Sequence, residues 1–142
     1  MKSFSLRIEI EPVSWQRPKT RLVNGWVKHY SPAKTKNYEK AIGDYWKQAT
    51  KGFKFEREQA VVVNIIFGLP MPKSASLKKK AEMASGRIKH IKKPDIDNLT
   101  KAVLDGLNGI AWDDDSQVIR ICAGKEYSKN PYVYIYIHES VD

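Results

Sequence analysis

Residues 60–68 limit the fold more than any other stretch of this chain. Val61, Val62, Val63, Ile65, Ile66 and Phe67 fill both alternating faces, and five of the six are β-branched. A strand apolar on both faces must be covered on both, so the run is expected to be a central strand. Near the N-terminus Phe4, Leu6, Ile8 and Ile10 alternate with Ser5, Arg7 and Glu9, the pattern of a strand with one buried face. Residues 117–127 and 132–138 read as two further strands, closing as a hairpin through Ser128, Lys129, Asn130 and Pro131. In the second of these, Val133, Ile135 and Ile137 alternate with Tyr132, Tyr134 and Tyr136. The tyrosine face can be covered by ordinary packing or by a second subunit.

Helical spacing appears in two places. Ser31 and Pro32 make a helix start, followed by Tyr38, Ile42, Tyr45, Trp46 and Ala49, with Gly52 as the stop. A second helix is expected from about Asp97 to Asn108, with Leu99, Ala102, Val103, Gly106 and Leu107 facing inward. Between the two, Ser74 or Ser76 caps a short helix ending near Gly86. The resulting order, β-α-β-(α)-α-β-β, predicts an α+β fold: one domain over residues 1–142, a mixed or antiparallel sheet packed by helices. Strand order is not readable from the pattern. Residues 73–93, with eight bases and one acid, are expected to be a mobile basic segment.

The formal charge of the chain is +9, which favours an acidic partner, nucleic acid above all. The single cysteine, Cys122, excludes an intramolecular disulfide and reads as a small buried residue. The alternating N-terminus is unlike a signal peptide, and no apolar run is long enough to span a bilayer. A cytoplasmic protein without membrane contact is the expectation. His29, His90 and His138 lack ligand spacing and are assigned no metal.

Within this basic chain, residues 94–118 hold six aspartates against one base, Lys101. In Asp95-Ile96-Asp97 an extended backbone would send both carboxylates to one face and Ile96 to the core. Asp97 also opens the helix and can cap it. Asp97, Lys101 and Asp105 share one helix face. Asp113, Asp114 and Asp115 precede the next strand, where a short return would bring them beside Asp95 and Asp97. Such hard oxygen ligands suit Mg²⁺, and without metal at least one of them should hold its proton more tightly. Mg²⁺ near phosphate-binding lysines is the apparatus of phosphodiester hydrolysis. Lys101 has two compatible readings: it stabilises charge on the scissile phosphate or positions the water, or it pairs with Asp97 or Asp105. Each acidic motif alone also reads as a helix cap or a polar turn.

Lys93-Pro94-Asp95-Ile96-Asp97-Asn98-Leu99, Lys101-Ala102, Leu104-Asp105, Leu107-Asn108-Gly109 and Trp112 with Asp114-Asp115-Ser116-Gln117-Val118 resemble the signature of the RusA family. Upstream, Gln16-Arg17-Pro18-Lys19, Tyr30-Ser31-Pro32, Lys36 and Tyr38-Glu39 look like the branch found in Gram-positive bacteria and their phages. The resemblance implies a Mg²⁺-dependent homodimeric endodeoxyribonuclease, with Mn²⁺ as a substitute metal, that resolves four-way DNA junctions. By position it places metal-binding aspartates at Asp95, Asp97 and Asp115, a further acid at Asp114 and the functional lysine at Lys101, leaving Asp113 as a turn residue. Residues 73–90 are an insertion absent from the shortest family members. Contacts to DNA are expected from Arg17, Lys19, Arg21, Lys78, Lys79, Lys80, Lys92 and Lys93. Trp112 is expected to support the acidic loop from the core. Trp15 and Trp26 contact bases or anchor the basic loop. Two other functions stay open on residues alone: a non-catalytic DNA-binding protein, and a Mg²⁺-dependent phosphohydrolase acting on another nucleic acid.

Overall fold

The run at residues 60–68 forms the strand β4 (Val61–Pro70), which lies inside a four-stranded sheet as expected. The computed structural model describes residues 1–30 and 32–141, leaving aside the side chains of His29 and Tyr30. The sheet order is β1-β6-β4-β5, with β1 (Ser3–Ile8), β5 (Val118–Ser128) and β6 (Tyr132–Glu139). β4 runs antiparallel to β6 and parallel to β5, so the sheet is mixed.

This order corrects the expected hairpin. The strands at 118–128 and 132–139 are consecutive in the chain, but they do not pair: β4 lies between them. An apolar central strand needs hydrogen-bonded neighbours on both edges, and β4 takes β5 on one and β6 on the other. Two strand spacings are about 10 Å, and the link from Ser128 to Tyr132 can reach farther, about 14 Å. It therefore crosses the end of β4. The Tyr132 ring fills the space that a side chain at Gly68 would occupy.

Two helices cover one face of the sheet, α1 (Ala33–Thr50) and, after α2 (Leu77–Ala84), α3 (Ile96–Leu107). Leu6, Ile8, Val63, Ile65, Phe67, Val133, Ile135 and Ile137 meet them from the sheet. The inner face of α3 is the expected one: Leu99, Ala102, Val103, Gly106 and Leu107 are all buried. In α1, Tyr38, Ile42 and Trp46 are buried as expected, but Tyr45 and Ala49 face solvent. Thr35, Gly43 and Thr50 complete the stripe instead, which keeps the spacing of three and four. The helix begins after Pro32 without a side-chain cap; the expected cap, Ser31, lies outside the described residues. It ends at Lys51 and Gly52, both with positive φ.

The outer face of the sheet is open. Arg7, Tyr134 and Ile66 line up across β1, β6 and β4, and Ile66 is 40% exposed. Cys122 sits on this face and is exposed, so the expected buried position is corrected. It stands directly opposite Asn64, which shares the open side of the pleat. Asn24 and Gly25, with φ of 52° and 81°, form the expected turn. Both left-handed residues suit a two-residue hairpin. The flanking strands β2 (Lys19–Val23) and β3 (Trp26–Tyr30) were not anticipated and form a separate two-stranded sheet. Ser76 caps α2, its Oγ accepting from the Lys79 N–H at 3.2 Å.

Candidate active site

A groove of about 370 Å³ opens between α3 and the inner side of the edge strand β5. From α3 come Asp97, Lys101 and Asp105, from β5 Ile121 and Ala123, and from the turn before β5 comes Asp115. The helix supplies its polar side because its apolar side is fixed in the core. The return from α3 supplies Asp115. Gly109 takes a left-handed φ of 77°, Trp112 is buried, and its Nε1–H donates to Asp115 Oδ1 at 2.8 Å. Trp112 thus supports the acidic loop from the core and also aims its carboxylate.

The turn is locked by Gln117, which sequence reasoning passed over. Its Oε1 accepts from the N–H groups of Asp113 (2.9 Å) and Asp114 (3.2 Å). Its Nε2 donates to the carbonyls of Glu56 (2.8 Å) and Gln59 (3.0 Å). The signal was available: Asp114 to Gln117 is capping-box spacing, and that box is formed.

The three consecutive aspartates have separate surroundings. Asp113 pairs with Lys54 at 2.7 Å and Arg57 at 3.6 Å, and the Lys54 hydrogen bond holds its carboxyl below the usual range. Asp114 accepts from the Ser116 hydroxyl and N–H and caps the short 3-10 turn Asp115–Gln117; the Ser116 hydroxyl lowers its pKa. Asp115 is the one whose pKa rises, chiefly because it is partly buried, with added repulsion from Asp105 and Asp114. A tightly held proton was expected from repulsion between carboxylates; desolvation is the larger cause. Lys101 pairs with Asp105 at 3.6 Å, one of its two readings. Glu39 of α1 was missed as a member of this electrostatic group. Burial raises its pKa, and the Asp105 charge adds to the rise while Lys101 opposes it.

Asp95 lies around the corner. It is the N-cap residue of α3, though its side chain makes no capping bond. Its Oδ2 accepts from Lys93 Nζ at 2.9 Å. The helix begins at Ile96, so the extended Asp-Ile-Asp arrangement is corrected: Ile96 is 36% exposed and does not point to the core. The cap position expected of Asp97 belongs to Asp95; Asp97 sits in the first turn, its Oδ1 accepting from the Asn98 N–H at 2.9 Å. Asp95 and Asp97 line a second depression with His90, Lys92, Lys93 and Lys125. Asp97 borders both grooves and joins Asp95 to the Asp115 side.

The donor set fits a hard cation in type, being carboxylate oxygens throughout. Among the described residues, no three acidic, histidine or cysteine side chains converge closely enough to hold a metal by themselves. Mg²⁺ tolerates that, since it binds through one or two carboxylates and completes its shell with water and substrate phosphate.

The basic loop after β1 is tied to this site through Trp15. Its backbone N–H donates to the Asn98 carbonyl at 2.8 Å, and Lys101 Nζ lies 5.0 Å from its ring centroid. Trp15 therefore anchors the loop and holds Lys101, whereas Trp26 on β3 is 75% exposed. Arg17, Lys19 and Arg21 continue along this loop and β2, Lys78, Lys79 and Lys80 lie on α2, and Lys92 and Lys93 lead into α3. On the reading in which Lys101 stabilises charge on a scissile phosphate, Trp15→Ala should lower cleavage about tenfold, the factor for about 1.4 kcal/mol, within the range of a partly desolvated cation–π contact. Trp15→Phe should keep most of the rate. Single-turnover rates of the two variants check this.

The sequence profile described as Endodeoxyribonuclease RusA matches residues 9–138. The chain belongs to the RusA endodeoxyribonuclease family. It is also 34% identical over 136 residues to a protein of Bacillus subtilis (strain 168) named "Uncharacterized protein YqaN", covering 91% of each chain. The matched span takes in both grooves, the Trp15 anchor and Gln117. Among its described residues no helix is long and apolar enough to cross a membrane.

Proposed function

We propose that this RusA-family nuclease resolves four-way DNA junctions with Mg²⁺, as a homodimer, in the recombination and repair of DNA in the cytoplasm. The observation that carries the reading is the grouping of Asp97, Lys101, Asp105 and Asp115 in one groove, with Asp95 on the adjoining rim. Asp97, which borders both grooves, would hold the cation directly with Asp115 or Asp95, the remaining one of these and Asp114 acting through its water. Bound there, such a cation would supply a water of lowered pKa and polarisation of the phosphoryl oxygen. Lys101, steadied by Asp105 and Trp15, balances negative charge on the scissile phosphate. The basic residues of the Trp15 loop, α2 and the 92–93 segment draw the polyanion onto carboxylates that would otherwise repel it. A four-way junction presents symmetry-related strands, and a two-fold dimer would offer each one an identical groove.

The test is one cleavage gel comparing a four-way junction, duplex, single-stranded DNA and RNA across Mg²⁺ and Mn²⁺ titrations. Paired, symmetric nicks in the junction strands support the reading. Binding without cleavage at any metal concentration would favour the non-catalytic alternative, and cleavage of RNA alone would favour another phosphohydrolase. Junction affinity is also expected to fall steeply with salt. About six phosphate contacts predict a loss on the order of a thousandfold between 50 and 200 mM, which anisotropy titrations would measure.

A further inference from the structure

Lys125 lies on the helix-facing side of β5, in register with the core residue Phe67 of β4. The preceding positions on that side, Ile121 and Ala123, line the acidic groove. A charged side chain in this row is not explained by core packing. Its ammonium donates to the Lys92 carbonyl at 2.6 Å and to the Pro94 carbonyl at 3.0 Å. These two carbonyls flank Lys93 and lead directly to Asp95, in a segment outside the strands and helices. Lys125 also borders the depression shared by Asp95 and Asp97.

We propose that Lys125 is a positioning residue, one that fastens the 92–94 segment to β5 and thereby sets Asp95 and the first turn of α3 against the acidic groove. Lys93 cannot do this, although it pairs with Asp95, because its side chain is 85% exposed and its ion pair is screened. Lys125 is half-buried, and its two bonds to backbone carbonyls are charge-assisted. A lysine suits the task because one ammonium supplies three donors that can bridge two carbonyls. The inference rests on Asp95 and Asp97 being acids of the nuclease site.

The test pairs a structural readout with a kinetic one, using Lys125→Met and Lys125→Arg in the full chain. Without DNA or metal, hydrogen exchange at the Leu99 amide, which donates to the Asp95 carbonyl at 3.1 Å, should quicken at least about tenfold in Lys125→Met, with β4 and β6 unchanged. Lys125→Arg should recover much of the protection. The cleavage rate of Lys125→Met should fall about 10–100-fold, the usual effect of losing an outer support, while junction affinity stays within about twofold. Unchanged exchange at the Leu99 amide would overturn the proposal. So would affinity falling in step with rate while exchange holds, which would make Lys125 a phosphate contact. Loss of the fold in both variants would also overturn it, since the role would then be structural. If the wild-type protein cuts no junction, the functional reading fails, while the exchange result still tests the fastening.

Discussion

Asp115→Asn is expected to abolish cleavage of a four-way junction while binding holds or tightens. Asparagine keeps an oxygen for the Trp112 Nε1–H, which donates to Asp115 at 2.8 Å, so the loop geometry should persist. The negative charge that would grip a cation is gone. The rate should fall by more than the roughly 10–100-fold that follows loss of an outer-shell partner, and loss of a like charge should favour the DNA. Normal cutting by this variant would remove Asp115 from the site. A second consequence concerns stability. Burial raises the Asp115 pKa in the folded protein, so the folded state binds this proton more tightly than the unfolded state. Stability then falls as pH rises from the ordinary carboxylate range through the raised folded value, and the full deficit is present at neutral pH. Asp115→Asn should therefore be more stable than wild type at pH 7, with the advantage vanishing below the ordinary range. Urea unfolding at two pH values measures both arms.

The inner face of α3 was legible because helix spacing is local: Leu99, Ala102, Val103, Gly106 and Leu107 stand within one helix and needed no partner to be read. The acidic block was legible for the same reason. Pairing between strands is not local. Nothing within residues 117–138 reveals that β4, some fifty residues earlier, comes between its two strands, and that one fact decides what β5 faces. Read as half of a hairpin, Lys125 had no assigned face; placed beside β4, it points at the loop that carries Asp95. Trp15 shows the same limit, since its contact with Lys101 joins two segments that only the folded chain brings together. At Ile96 the failure was of another kind. The extended stretch stops two residues earlier than alternation implied, because Asp95 rather than Asp97 occupies the N-cap position.

Gly106→Ala tests whether the close crossing of α1 and α3 holds the site together. A Cβ at Gly106 would lie 2.8 Å from the Glu39 carbonyl oxygen and 3.2 Å from its Cα, with Ile42 Cβ at 3.1 Å. Two of those atoms are backbone and cannot swing aside, so α3 itself must shift. Overpacking of this kind costs about 1–3 kcal/mol, and the better helix propensity of alanine returns about 1 kcal/mol. A net loss of up to about 2 kcal/mol is expected in urea unfolding. At Gly43, across the same crossing, the nearest atom is the Ile110 Cδ1 at 2.7 Å, the end of a flexible side chain, although the Gly106 carbonyl stands at 3.0 Å. Gly43→Ala should therefore be the milder of the two. The shift at Gly106 also has a catalytic consequence. Asp97, Lys101 and Asp105 ride on α3, whereas Asp115 is fixed by Trp112 and Gln117. Moving the helix by a few tenths of an ångström separates the two halves of the groove, and a misplacement of about 1 Å can cost a hundredfold in rate. Gly106→Ala should thus lose about tenfold in single-turnover cleavage under conditions where it is fully folded. If it keeps both wild-type stability and wild-type rate, the glycine crossing is not what sets the distance between Asp97 and Asp115.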